Sequence, residues 1–245
     1  MLYKDEAVVL RTMRLGEADR IVTFLGLAEG KIRGVAKGIR KTKSRYGGRL
    51  EPFSRVSLVM WRGKSDLDTV TQVGVIEPNR AIREDLDRFA MGEVMLEACD
   101  RVAQQGQGSP RTFKLLNEAL HQLCITASPL VLSGFLLRLS GIAGFAPCID
   151  RCAECGNPAA WFSPVQGGAV CPDCRSGDSE EVGTTVLELM SDTIRAGWDF
   201  TEIGTDRALV SLAARLSRYY TEYHLERRLK AAATGLALAP LVTSQ

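Results

Sequence analysis

The chain has 245 residues, with 31 Lys and Arg against 29 Asp and Glu, 45% hydrophobic side chains and 7% aromatic ones. That length supports one large domain or two modest ones with self-sufficient cores, and the balanced composition excludes global disorder. No run of 18 apolar residues, no secretory pattern in the first 20 residues and no Asn-x-Ser/Thr acceptor occurs, so neither a membrane span nor export is expected.

The formal charge of +2 hides an asymmetry. Residues 1–80 hold 16 basic and 9 acidic side chains, while residues 81–245 hold 15 and 20. A basic first third joined to a mildly acidic remainder suggests two domains, the first facing a polyanion. A chance fluctuation on a solvated surface is the plainer alternative.

Residues 1–80 read as strands. Residues 7–10 and 20–25 are short and β-branched, and residues 31–37 follow the turn-like pair Glu29-Gly30. Residues 55–61 alternate polar and apolar side chains, and residues 69–76 do the same after a turn at residues 63–66. Five short strands in this span predict a small antiparallel barrel or sandwich. An OB-fold needs that many strands, and an SH3-like barrel fits the count nearly as well.

Pro78 ends the alternation. Leu86, Phe89, Ala90, Val94, Ala98 and Val102 then share a helical face. Residues 104–110 read as a polar loop, and Phe113, Leu116, Leu120, Leu123 and Cys124 resume helical spacing. Pro129 opens a third, largely apolar helix over residues 129–141. Thr185 with Glu188 has the pattern of a capping box ahead of Leu187, Met190 and Ile194. Leu209, Leu212, Leu216, Tyr219 and Tyr223 form the last stripe. The expected organisation is α+β and multidomain: a five-stranded OB-fold barrel over 1–80, an all-α domain over 81–232 with a metal-binding insertion at 148–178, and a disordered tail at 233–245.

Seven cysteines are present. Cys152 and Cys155 form one C-x2-C pair, and Cys171 and Cys174 form another 15 residues on. Two thiolates three residues apart can meet one tetrahedral ion from a single tight turn, and two such turns complete its shell. These four are the expected ligands of a structural Zn2+, with iron as the alternative. Four thiolates leave no open position, which argues against metal catalysis. Residues 148–181 carry two basic and six acidic side chains, so the knuckle is a poor reader of phosphate. Cys148 is either a spare ligand or a small packed residue.

The densest positive charge lies at 31–49, where Lys31, Arg33, Lys37, Arg40, Lys41, Lys43, Arg45 and Arg49 occur without an acid. Mobile cations beside a barrel can displace counterions from a phosphate backbone without reading sequence. Tyr46 and Trp61 are candidates for stacking on bases, against the alternatives of a solvated loop and of aromatics packed on the barrel. No catalytic constellation is evident: His121 and His224 fall in helical patterns, and Gly63-Lys64-Ser65 lacks the leading glycine of a phosphate-binding loop. No enzymatic activity is expected. A zinc-containing nuclease and a protein-only adaptor are the competing readings.

Residues 15–23 (Leu-Gly-Glu-Ala-Asp-Arg-Ile-Val-Thr), 36–45 and 50–53 resemble the RecO family of bacterial recombination mediators, as do Gly144-Phe145-Ala146-Pro147 and the following Cys152–Gly156 run. The resemblance extends in register to about residue 230. It implies an N-terminal OB-fold, a helical domain with a four-cysteine zinc site, and a cytoplasmic, nucleoid-associated protein. It also implies binding of single- and double-stranded DNA, annealing of complementary strands, and action with RecR to help RecA displace the single-stranded DNA-binding protein. On this resemblance the basic run from Lys37 to Arg49 corresponds to the DNA-binding loop region. Arg138, set in an apolar helix, is the candidate receptor for the acidic tail of the single-stranded DNA-binding protein, against the alternative of a structural ion pair.

Overall fold

A computed structural model describes residues 1–40, 44, 46, 48–63, 66–200 and 206–229. The expected tail at 233–245 lies outside them. Five strands, β1 (Leu2–Leu15), β2 (Asp19–Gly26), β3 (Gly30–Ala36), β4 (Arg55–Trp61) and β5 (Asp68–Glu77), close into a barrel of order β1-β2-β3-β5-β4. All neighbours pair antiparallel except β3 and β5, which are parallel and joined only through Gly34↔Asp68 and Val35↔Thr69. This is the OB arrangement, so the SH3-like alternative falls away. The interior takes alternate residues: Ala7 and Val9, Val22 and Phe24, Ile32 and Ala36, then Val56, Leu58, Met60 and Val70. The irregularity between Val9 and Arg11 lets the long β1 bend from one neighbour to the other.

One end of the barrel is closed by Asp5, whose carboxylate accepts from the amides of Ala28 (3.1 Å) and Glu29 (3.0 Å) in the β2–β3 turn. Arg55 ties three strands together through Glu6 of β1 (2.5 Å) and Glu77 of β5 (3.3 Å).

The helices are α1 (Arg80–Arg83), α2 (Leu86–Val102), α3 (Pro110–Ile125), α4 (Pro129–Ile142), α5 (Thr184–Arg195) and α6 (Arg207–His224). The chain forms two compact units: Met1–Asp85 with Leu96–Cys124, and Leu86–Met95 with Ile125–Gln245. In the first, the segment after α2 joins the barrel by a hydrogen bond from the amide of Lys31 to the Gln104 carbonyl (3.0 Å) and by bridges of Gly30 and Lys31 to Gln105.

In the second unit, α4 packs on α5 and α6. Ser128 caps α4 and Pro129 starts it, as its fixed φ and missing amide hydrogen favour. Two buried hydroxyl pairs join α4 to α6, Ser133 with Ser217 (2.7 Å) and Ser140 with Thr221 (3.2 Å). The anticipated capping box is absent: Gly183 is the N-cap of α5, with φ 77° and no side-chain cap, and Thr185 lies inside the helix. Three short strands missing from the sequence reading, β6 (Trp161–Ser163), β7 (Gly168–Val170) and β8 (Glu180–Glu181), form a sheet of order β7-β6-β8 between α4 and α5.

Candidate functional site

The basic residues of 31–49 fall in different environments. Lys31 faces outward at the start of β3, but its ammonium is held by the Asp100 carboxylate (3.1 Å) and also donates to the Asp100 carbonyl. Arg33, mid-strand, makes no hydrogen bond or ion pair among the described residues, and its Nε is enclosed. Lys37 is exposed one residue past the end of β3.

The chain then turns back on the β1–β2 connection. The Gly38 amide donates to Asp19 Oδ1 (2.7 Å), the Arg40 amide to the Ala18 carbonyl (3.0 Å) and the exposed Arg40 guanidinium to the Glu17 carbonyl (2.9 Å). Lys41, Lys43 and Arg45 lie outside the described residues. Arg49 is exposed, with its amide on the Tyr46 carbonyl (3.1 Å).

Tyr46 corrects the stacking assignment. It is 1% exposed, belongs to the barrel core, and donates its hydroxyl to the Val70 carbonyl (2.8 Å). An aromatic in that position plugs the barrel and cannot lie against a base. Ile39 and Leu50 enter the same core, so the basic segment is pinned at three points. Trp61, by contrast, is 54% exposed.

The structure adds two residues to the basic set. Arg14 and Arg20 stand directly opposite one another on β1 and β2, and Arg20 pairs with Ala36, the residue before Lys37. Like charges facing across a ladder cost stability. Glu51 lies 3.6 Å from Arg20, while Arg14 has no partner among the described residues. Arg14, Arg20, Lys37 and Arg40 thus gather where the β1–β2 turn meets the end of β3. The available sequence signal was the hairpin register around Gly16, which sets residues 14 and 20 on one face.

Two tight turns carry the cysteines. Cys152 Sγ, Cys155 Sγ, Cys171 Sγ and Cys174 Sγ all lie within 4.8 Å of one another. The first turn closes by the Gly156 amide on the Cys152 carbonyl (2.9 Å), with Gly156 at φ 77°, and the second by the Cys174 amide on the Cys171 carbonyl (3.2 Å). Desolvation works against ionisation of Cys152, yet backbone hydrogen bonds from Cys155, Cys171 and Glu154 pull its pKa down to about 6. Hydrogen bonding with the Cys155 and Cys171 sulfurs pushes Cys174 up to about 12.

Four thiolates at this spacing cannot all ionise without a cation among them. A tetrahedral thiolate site with metal–sulfur bonds of about 2.3 Å places its sulfurs about 3.8 Å apart, and Cys155 and Cys171 are 3.6 Å apart. The donor set therefore fits a metal ion. Cys148 is not part of it, since its Sγ donates to the Arg151 carbonyl (3.3 Å). The strand pair β6–β7 separates the two turns, and Gln166 between those strands reaches the Cys174 carbonyl (2.9 Å) and the Ser176 amide (3.1 Å), fixing the second turn.

Arg138 of α4 is turned toward the end of α5. Its guanidinium donates to the carbonyls of Thr193 (2.6 Å), Ile194 (3.1 Å) and Gly197 at the end of α5, and stacks on Trp198 at 4.6 Å. A cation there satisfies terminal carbonyls and complements the helix dipole. Those contacts give it a structural role at the end of α5.

Among the described residues, no helix is long and apolar enough to cross a membrane. A family model described as Recombination protein O N terminal matches residues 1–79, and one described as Recombination protein O C terminal matches residues 83–233. A DNA repair protein RecO of Nocardioides sp. is 41% identical over 242 residues, covering 95% of this chain and 98% of that protein. A DNA repair protein RecO of Frankia casuarinae is 42% identical over 236 residues (94% and 96%), and one of Thermobifida fusca is 37% identical over 235 residues (94% and 96%).

Proposed function

This chain belongs to the recombination protein O family, and from that membership we propose that it is a non-enzymatic, DNA-binding recombination mediator of DNA repair. The observation that carries the reading is the gathering of Arg14, Arg20, Lys37 and Arg40 at one end of a closed barrel, at the base of a segment that also supplies Lys41, Lys43, Arg45 and Arg49. Such a surface neutralises phosphates of either single- or double-stranded DNA and reads no bases. Holding two strands on it lowers their mutual repulsion, which is the physical basis for annealing.

In this reading the four cysteines hold Zn2+, which cross-links the turns around β6 and β7 and takes no part in chemistry. The partners are those of the family: RecR, the tail of the single-stranded DNA-binding protein, and RecA indirectly, in the bacterial cytoplasm at the nucleoid.

The test is annealing of complementary strands coated with single-stranded DNA-binding protein, combined with the salt dependence of DNA binding. Changing Lys41, Lys43 and Arg45 to Ala is expected to slow annealing and to lower the log–log salt slope by about two, at about 0.7 per phosphate on single strands. An unchanged slope removes the segment from the interface. Strand cleavage in the presence of Mg2+ would favour a nuclease instead.

A further inference from the structure

The outer surface of the barrel is not uniform. On β2 the outward residues Ile21, Thr23 and Leu25 are 9%, 2% and 0% exposed, so that strand offers nothing to a ligand. The outer faces of β1, β4 and β5 are open. The registers set them in successive ranks: Leu2–Trp61–Thr69, then Lys4–Val59–Gln72, then Glu6–Ser57–Gly74. The lower two ranks line a groove of about 570 Å3.

Each rank supplies a different chemistry. In the first, Leu2 is 52% and Trp61 54% exposed, an adjacent pair of open apolar side chains. In the second, Lys4 and Gln72 are exposed and without partners among the described residues. In the third, Gly74 leaves the floor empty. A Cβ there would stand 2.7 Å from Ser57 Oγ, so any larger residue fills the groove. The acids nearby are already neutralised or engaged, Glu6 by Arg55 (2.5 Å) and Asp5 by the turn amides of Ala28 and Glu29. The leading rank runs on through Thr69 to Val35, two residues before Lys37, so the apolar rank ends where the basic segment begins.

We infer that this groove on β1, β4 and β5 is a contact site for an unpaired nucleic-acid strand, with Trp61 stacking on a base and Gly74 keeping the channel open. The assignment rests on the proposed DNA-binding role and deepens it. The basic segment meets phosphates of any strand, whereas Trp61 meets only a base that is free of its complement. An aromatic face takes any base, so the site separates single strands from duplex without adding sequence preference. Lys4 supplies the charge that a phosphate beside the stacked base requires. Arg33, on the outer face of β3 beside Val35 and with no side-chain partner among the described residues, would meet the phosphate on the other side.

The experiment compares the full-length protein with Trp61→Ala and Gly74→Val, measuring affinity for an oligothymidylate and for a duplex of equal length. Both side chains project outward from strands, and valine suits an extended backbone, so both variants are expected to fold. Each is expected to bind the oligothymidylate roughly tenfold more weakly, with duplex affinity unchanged. Oligothymidylate is expected to quench tryptophan fluorescence in the parent and not in Trp61→Phe. If the variants match the parent on the single strand, or lose single strand and duplex alike, the groove is not a site for unpaired bases while DNA binding by the protein stands. If the parent binds neither nucleic acid, both readings fall.

Discussion

Gly168 runs so close to Cys148 that a Cβ on the glycine would overlap the cysteine carbonyl, which accepts the Ala169 amide at 2.7 Å. Gly168 also holds φ at 136°, a value that L side chains rarely adopt. The contact fixes the start of β7 against the chain leading into the first cysteine turn. Gly168→Ala is expected to cost on the order of 3 kcal/mol. It should also lower metal content, read by thermal unfolding and by metal analysis of the purified protein.

Metal binding should release fewer than four protons per ion at neutral pH. Cys152, held near 6, is already a thiolate there, whereas Cys174, near 12, must give up its proton. Titration of the metal-free protein with Zn2+ in weak buffer checks the count. The two thiols bias the metal-free protein in opposite directions. The lowered pKa of Cys152 contributes stability above the ordinary thiol value that is lost as pH falls through about 6. The raised pKa of Cys174 contributes stability below the ordinary value that is lost as pH rises through about 12. Cys171→Ser should cut metal content and destabilise the helical region while leaving the salt slope of DNA binding as it was.

Lys31 and Arg33 sit two residues apart on the same outer face of β3, yet they should behave differently. Lys31 is held by Asp100, so Lys31→Ala should destabilise the fold by about 1–3 kcal/mol and leave the salt slope unchanged. The Arg33 side chain has no partner among the described residues, so Arg33→Ala should spare stability and lower the slope by about 0.7 on single strands. Denaturant unfolding and salt titrations on the two variants decide the matter.

Tyr46→Phe should leave DNA affinity untouched and destabilise the barrel by about 1 kcal/mol, through loss of its hydrogen bond to the Val70 carbonyl. Tyr46→Ala should cost about 3–5 kcal/mol by opening a cavity in the core. A drop in single-strand affinity for the phenylalanine variant, with stability intact, would return Tyr46 to the interface.

The five barrel strands and the long helices were legible because each has a period: Val56, Leu58 and Met60 alternate inward, and Leu209, Leu212 and Leu216 recur at helical spacing. The cysteine cluster was legible because two C-x2-C turns of this spacing can bring four sulfurs to one point. Strands of two or three residues, such as β6, β7 and β8, are too short to show any period. Tyr46 was misread because its local company, Ser44 to Gly48, is that of an open loop. Only closure of the barrel gives it a place in the core, and that is a long-range event. The carbonyls that Arg138 meets were hidden for the same reason, since they lie more than 50 residues further along the chain.

The parallel pairing of β3 with β5 involves only two residues from each strand, against seven or eight in the β1–β2, β1–β4, β2–β3 and β4–β5 pairings. That narrow seam is where the cylinder would first unzip. Amide hydrogens near Val35 and Thr69 should then exchange with solvent ahead of those on β1. Once parted, the lips would become free β-edges able to recruit strands from other chains.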